Sequence, residues 1–236
     1  ADACIVAEPT WLDLAVAHRG YAVAKVSLTG RAAHSSQPDE GIDVLPTLGR
    51  LLVAISERNL ALRSGHGHPL LAHGSLMASV VRGGSAPFTI ASHAEVLVER
   101  RTLPGERGPV VVDELQELLD DGSAADDPDR PVRRAVELLI ARDSWQGDDV
   151  GAAAELRGLL HRALMTSTGR GPTPVGAPYW MESALWQAAG VPAVVCGPAG
   201  GGLHSVEEWV DLDQLVRFPV AVADATGAFL SNAAPD

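Results

Sequence analysis

Apolar positions recur along this chain with two periods, one of about two residues and one of about 3.6. Residues 1–8 read as a short strand, Cys4-Ile5-Val6-Ala7, running into a loop. Residues 21–29 (YAVAKVSLT) alternate and predict a strand. Residues 43–58 carry Val44, Leu48, Leu51, Leu52 and Ile55 at helical spacing, the pattern of an amphipathic helix. Residues 74–82 predict a strand ending at Gly83-Gly84, and residues 90–100 a second one that Pro104-Gly105 stops. Val111, Leu115, Leu118 and Leu119 share one helix face over residues 110–120. After a polar turn at 122–131, residues 132–141 fit either period and are read as a strand.

The order from 21 to 141 is β-α-β-β-α-β, the ferredoxin-like split arrangement of a two-layer sandwich. The last third differs. Residues 150–166 predict a helix with Leu156, Leu159, Leu160 and Leu164 inward, and GRGPTPVGAP a loop. Residues 179–189 predict a helix closed by Gly190 in the left-handed region. Residues 191–196 (VPAVVC) form the wholly apolar run of a strand buried in a parallel sheet. Asp211 and Gln214 suggest a capping box opening a final helix, which Pro219 is expected to kink or restart. Three segments follow: residues 1–20 and 142–236 sharing one α/β sheet, and residues 21–141 inserted between them.

Composition narrows the function. The 236 residues carry 30 acidic and 18 basic side chains, a formal charge of −12. That balance opposes binding to nucleic acid or to an anionic membrane surface. No apolar run is long enough to span a bilayer. Two cysteines, Cys4 and Cys196, make no disulfide framework, and a cytoplasmic setting is expected. The chain opens on Ala1, almost inside a strand, and is read as the C-terminal part of something longer.

Candidate chemistry lies at strand ends. Glu8 follows an apolar strand, at the sheet edge where open α/β sheets bind ligands. Cys196-Gly197 through Leu203-His204 is another strand end, a flexible loop, then a histidine. Carboxylate and imidazole together suit Zn²⁺, although either residue alone reads as readily as a surface group. The glycine run lacks both phosphate-loop signatures. His34, on the loop before the first helix, is either an exposed histidine or a donor to a developing oxyanion. Arg100 and Arg101 face opposite sides of a strand, so at most one points to a given ligand, and it reads either as a carboxylate-binding guanidinium or as a sheet-face salt bridge. Cys196 has no evident base and is not read as a nucleophile. His66, His68 and His73 read as an exposed His-rich loop.

Four segments occur in order: IVAEPT with His18-Arg19-Gly20, GRAAHSSQPDEGIDVL, ERRTLPGE and GVPAVVCGPAGGGLHSVEEWV. Together they resemble the motifs of the M20 metallopeptidases, the group of acetylornithine deacetylase, succinyl-diaminopimelate desuccinylase, aminoacylase and carboxypeptidase G. The resemblance covers most of the chain. It implies a zinc-hydrolase catalytic domain, here partial, interrupted by a ferredoxin-like lid that forms a homodimer. It implies that Glu8 and His204 each bind one of two zinc ions. It implies that His34 reaches the partner's active site and polarises the scissile carbonyl, and that Arg101 holds the substrate carboxylate. The implied reaction is hydrolysis of the amide bond of an N-acyl amino acid or small peptide.

The departures bear on activity. The family's His-x-Asp, bridging Asp and Glu-Glu pair precede its Glu-Pro-Thr segment, and only seven residues precede it here. The resemblance therefore implies that this chain alone neither holds zinc tightly nor catalyses. Phe88 stands where an Asn is usual, Ala91 for a Pro, Asp43 for the lid's Asn, and Met181-Glu182-Ser183 for Thr-Asp-Ala. The alternative they motivate is a non-catalytic relative that binds and dimerises.

Overall fold

The computed structural model describes residues 1–233. In chain order its first elements are β1 (Cys4–Val6), β2 (Leu14–His18), β3 (Gly20–Thr29), α1 (Leu45–Ser64), β4 (Ser75–Gly83), β5 (His93–Thr102), α2 (Val110–Asp121) and β6 (Arg133–Arg142). There follow β7 (Trp145–Gln146), α3 (Gly151–Thr168), β8 (Pro174–Ala177), α4 (Ser183–Ala188), β9 (Ala193–Val195), β10 (Gly200–Gly201), β11 (Trp209–Val210) and α5 (Leu212–Ala233). The chain divides into two compact units, Gly20–Ser144 and Ala1–Arg19 with Trp145–Asp236.

The inserted unit is a β-α-β-β-α-β sandwich with strand order β4-β5-β3-β6. The ten-residue strands β3 and β5 lie side by side and antiparallel, from Gly20 opposite Thr102 to Thr29 opposite His93. Strict alternation decides what each presents. Ala22, Ala24, Val26 and Leu28 of β3 and Ala94, Val96 and Val98 of β5 are buried beneath Leu48, Leu51 and Ile55 of α1 and Val111, Leu115 and Leu119 of α2. α1 outruns its expected end at 58 because Asn59–Ser64 contains nothing that breaks a helix. Its first turn holds Pro46, and the Asp43 carboxylate accepts the Leu45 N–H at 3.0 Å. Asp126 gathers Thr47, Arg50 and Arg134 on one carboxylate, tying α1 to β6.

Arg100 breaks the apolar run of β5 on its helix-covered face. It is 1% exposed. Its Nε donates to Glu114 of α2 at 2.9 Å, one Nη donates to Glu106 at 3.0 Å, and the other meets the Arg101 carbonyl. A buried guanidinium survives only when its donors are matched in this way.

The other unit is built on a five-stranded sheet. β1 runs parallel to β9, β9 is antiparallel to β2, and β2 takes β8 parallel on its other side and β7 antiparallel. On one face α3 and α5 pack Leu156, Leu160, Leu164, Phe218, Ala221, Ala225 and Phe229 against Leu12, Leu14, Val194 and Cys196. On the other, Trp145, Met181 and Ala177 close over Ala15, Ala193 and Val195. His18 is fully buried there, stacked on Trp145 at 5.6 Å with Trp180 edge-on at 6.3 Å, and its Nδ1 bonds the Arg19 carbonyl at 3.0 Å. Burial pushes its pKa down, opposed by the Arg19 and Met181 backbone and by Glu182.

Three expectations need correction. β8 is a strand within a segment read as loop, and β2 is a strand in a stretch to which no element was assigned. β2 is rich in alanine, a weak strand former, and β8 opens on a proline that an edge strand tolerates. The helix expected over 179–189 is only Ser183–Ala188, and Gly190 sits just beyond it at φ +78°. α5 does not restart at Pro219 and runs through it. Half of the expected capping box forms: Asp211 accepts the Gln214 N–H at 2.9 Å, while the Gln214 side chain accepts instead from Ala199 N–H at 2.8 Å.

Replacing Arg100 by Met strands the nearly buried Glu114 carboxylate and takes from Glu106 one of its two partners. The expected loss is about 3–5 kcal/mol of the inserted unit's stability, read as an earlier urea midpoint at unchanged slope.

Candidate functional site

In the sheet-built unit the parallel neighbours β1 and β9 end side by side, at Val6 and Val195. The chain leaves one through Ala7-Glu8-Pro9-Thr10 and the other through Cys196-Gly197. Thr10 joins the exits: its Oγ1 accepts the Gly197 N–H at 3.0 Å and donates to the Asp13 carbonyl at 2.6 Å, and Leu12 N–H donates to the Gly197 carbonyl at 2.8 Å. A Cβ on Gly197 would stand 2.4 Å from the Glu8 carbonyl oxygen, so only glycine fits that approach. Trp11 and Leu12 both take left-handed conformations, φ +61° and +60°. Such strained residues cluster at functional sites.

Glu8 is half-buried at this edge. Burial first, then the nearby Glu182 carboxylate, pushes its pKa up. Tyr179 donates from its hydroxyl to the Pro9 carbonyl at 3.0 Å, and its phenol is pushed up by burial and by Glu8. Glu8, Tyr179 and Glu182 thus share one corner. The sequence pattern carried no sign of that grouping, because 171 positions separate Glu8 from Tyr179. Cys196 is fully buried and its thiol is pushed up to about 12, which fits its reading as no nucleophile.

His204 stands exposed at φ +62° on the β10–β11 hairpin. Ser205 donates to the Gly202 carbonyl at 2.8 Å inside that turn. The Trp209 indole covers Gly201, where a Cβ would come within 2.5 Å of its Nε1. Trp209 also meets Trp11 edge to face, 5.9 Å between centroids and 83° between planes, so the hairpin is clipped to the Glu8 loop.

Carboxylate and imidazole are suitable zinc donors, but a zinc site takes three or four protein ligands. Among the described residues no group of three or more His, Cys, Asp and Glu is placed to hold a metal ion. The donors present do not fit a zinc centre by themselves.

In the inserted unit His34 is exposed, on a loop zipped to Phe88–Ile90 by Ser35 N–H to the Phe88 carbonyl and Ile90 N–H to the Ala33 carbonyl, both 2.9 Å. Its Nδ1 accepts the Ser36 N–H at 3.2 Å and lies 2.8 Å from the Ser36 hydroxyl. That bond leaves the ring proton of the neutral form on Nε2. Arg101 lies on the half-exposed sheet face opposite to Arg100, as alternation requires. Its Nε donates to Glu99 at 2.6 Å and its guanidinium lies 5.5 Å from the Tyr21 ring centroid. No hydrogen bond joins His34 to Arg101 among the described residues. Met181 is buried in the core, and Phe88 is 76% exposed at φ +61°. The loop with His66, His68 and His73 forms no metal cluster among the described residues.

This geometry has known counterparts. Residues 16–127 match the M20 peptidase dimerisation domain. Acetylornithine deacetylase from Myxococcus xanthus is 29% identical over 231 residues, 95% of this chain and 57% of that protein. Just under half of the chain is an M20 dimerisation domain. Acetylornithine deacetylase from Proteus mirabilis is 24% identical over 89% of this chain and 52% of that protein. The fold matches a tripeptidase from Staphylococcus aureus with a TM-score of 0.76, covering 98% of this chain and 58% of that one at 16% identity. It matches aminopeptidase PepT from Bacillus cereus with a TM-score of 0.74, again at 16% identity, covering 96% of this chain and 58% of that one. The chain thus spans about half the length of the curated relatives it matches. No helix among the described residues is long and apolar enough to cross a membrane.

A carboxyl whose pKa is raised by folding contributes stability below its ordinary value and loses it as pH rises through the raised one. Glu8→Gln is therefore expected to raise the melting temperature of the metal-free chain at pH 7. The gap should close by pH 4.5, the ordinary value. Calorimetry in chelator at both pH values checks this.

Proposed function

We propose that this chain is the lid and C-terminal catalytic part of a zinc-dependent amidohydrolase that cleaves N-acyl amino acids or small peptides. One observation carries the reading. The inserted unit presents two groups suited to an acylated amino acid, the exposed imidazole of His34 and the partly exposed guanidinium of Arg101. Neutral His34 donates from Nε2 to the scissile carbonyl oxygen as negative charge develops there. Arg101 holds the substrate's carboxylate, a match to the planar guanidinium. In a homodimer formed through the lid, His34 serves the partner's site. Glu8 and His204 are this chain's contribution to the zinc donors, and the remaining donors come from protein beyond these 236 residues. Zinc held by a complete donor set would supply an activated water. Roles in substrate choice for Glu182 and Tyr179 follow from their place beside Glu8. A cytoplasmic setting belongs to the same reading.

A second reading, a non-catalytic relative that binds and dimerises, is favoured by Met181 and Phe88. The first is buried, and the second is a large apolar side chain where the resemblance expects a polar contact.

The test uses N-acetylornithine and a panel of other N-acyl amino acids, with zinc. Hydrolysis is followed for the 236-residue chain and for a chain extended to the length of the relatives. The extended chain is expected to turn over. His34→Ala should lower kcat by about 10²–10³-fold, the effect of removing one oxyanion donor. An extended chain that binds zinc yet cleaves no N-acyl amino acid or peptide overturns the hydrolase reading in favour of the second.

A further inference from the structure

Arg101 is restrained from two directions by residues of its own sheet face. Glu99 precedes it by two positions on β5, so both side chains emerge on the same side. The Glu99 carboxylate takes the Nε–H at 2.6 Å, with both side chains mostly covered, 24% and 30% exposed. Tyr21 lies directly opposite Arg101 on β3, its ring centroid 5.5 Å from the guanidinium carbon. Among the described residues Nη1 and Nη2 of Arg101 donate no hydrogen bond. A guanidinium held by Nε therefore offers its end-on pair of N–H donors, the geometry that grips a carboxylate with two parallel bonds.

We propose that Glu99 and Tyr21 are positioning residues that pre-orient Arg101 for an incoming carboxylate and so set the preference for ligands with a free carboxyl group. The proposal rests on the carboxylate-binding reading of Arg101. An arginine side chain is rich in rotamers, and ordering it at the moment of binding weakens affinity. Glu99 orders it beforehand through a hydrogen bond. Its negative charge is not what helps, since it repels the ligand's own carboxylate.

That distinction fixes the test. Nitrogen-15 spectra of the arginine side chains of the 236-residue chain report the Arg101 Nε–H directly. Titration with N-acetylornithine, and with its methyl ester as control, reports affinity. Glu99→Ala is expected to broaden or lose the Nε–H signal and to weaken binding roughly two- to tenfold, the span of one immobilised side chain. Glu99→Gln keeps an acceptor for Nε–H without the charge, and should restore both the signal and the affinity. Tyr21→Leu should weaken binding and Tyr21→Phe should not. Tighter binding by both Glu99 variants overturns the proposal, for Glu99 would then be a competitor. Unchanged binding in Glu99→Ala overturns it too. Failure of the underlying reading looks different: N-acetylornithine and its ester then bind equally, Arg101→Ala has no effect, or nothing binds at all.

Discussion

The parallel pairing of β1 with β9 governs where chemistry can gather in the sheet-built unit. Two strands that point the same way release their chains at the same edge, and there the backbone must turn without partners of its own. Thr10 and Gly197 supply those partners, and the close approach excludes any side chain at 197. Glu8 is consequently held at a rim where its charge is poorly solvated and faces a second carboxylate. A positive charge brought to that rim would relieve both costs.

The inserted unit solves a different problem with two adjacent arginines. Alternation sends Arg100 into the core and Arg101 to the open face, and each meets carboxylates from its own unit. The first pair of contacts fastens α2 and the loop before it to the sheet. The second leaves part of a guanidinium available. One dipeptide therefore sets a buried structural contact and an available guanidinium on opposite faces of a single strand.

Much of this was legible in the residues alone. The order of elements in the inserted unit follows from periodicity, because long strands with one covered face alternate cleanly. So do the opposite faces of Arg100 and Arg101. Of the short strands of the other unit, β1 and β9 were legible as apolar runs, and β2 and β8 were not. β2 and β8 are four or five residues long and rich in Ala, Pro and Gly, and only their neighbours in the sheet make them strands. The grouping of Glu8 with Tyr179 and Glu182 was hidden for the same reason, since the contact depends on how the sheet is assembled. The restraint on Arg101 was legible in part. Glu99 two residues away on a strand is a local pattern, whereas Tyr21 depends on the register of β3 against β5.

The edge-to-face meeting of Trp11 and Trp209 also has an optical meaning. One indole belongs to the loop that carries Glu8, the other to the hairpin that carries His204, and both are half open to solvent. Two such chromophores nearly perpendicular and 5.9 Å apart couple their transitions, and the coupling falls steeply as they separate. The near-ultraviolet circular dichroism of the chain thus contains a native gauge of the distance between the two loops, with no label attached.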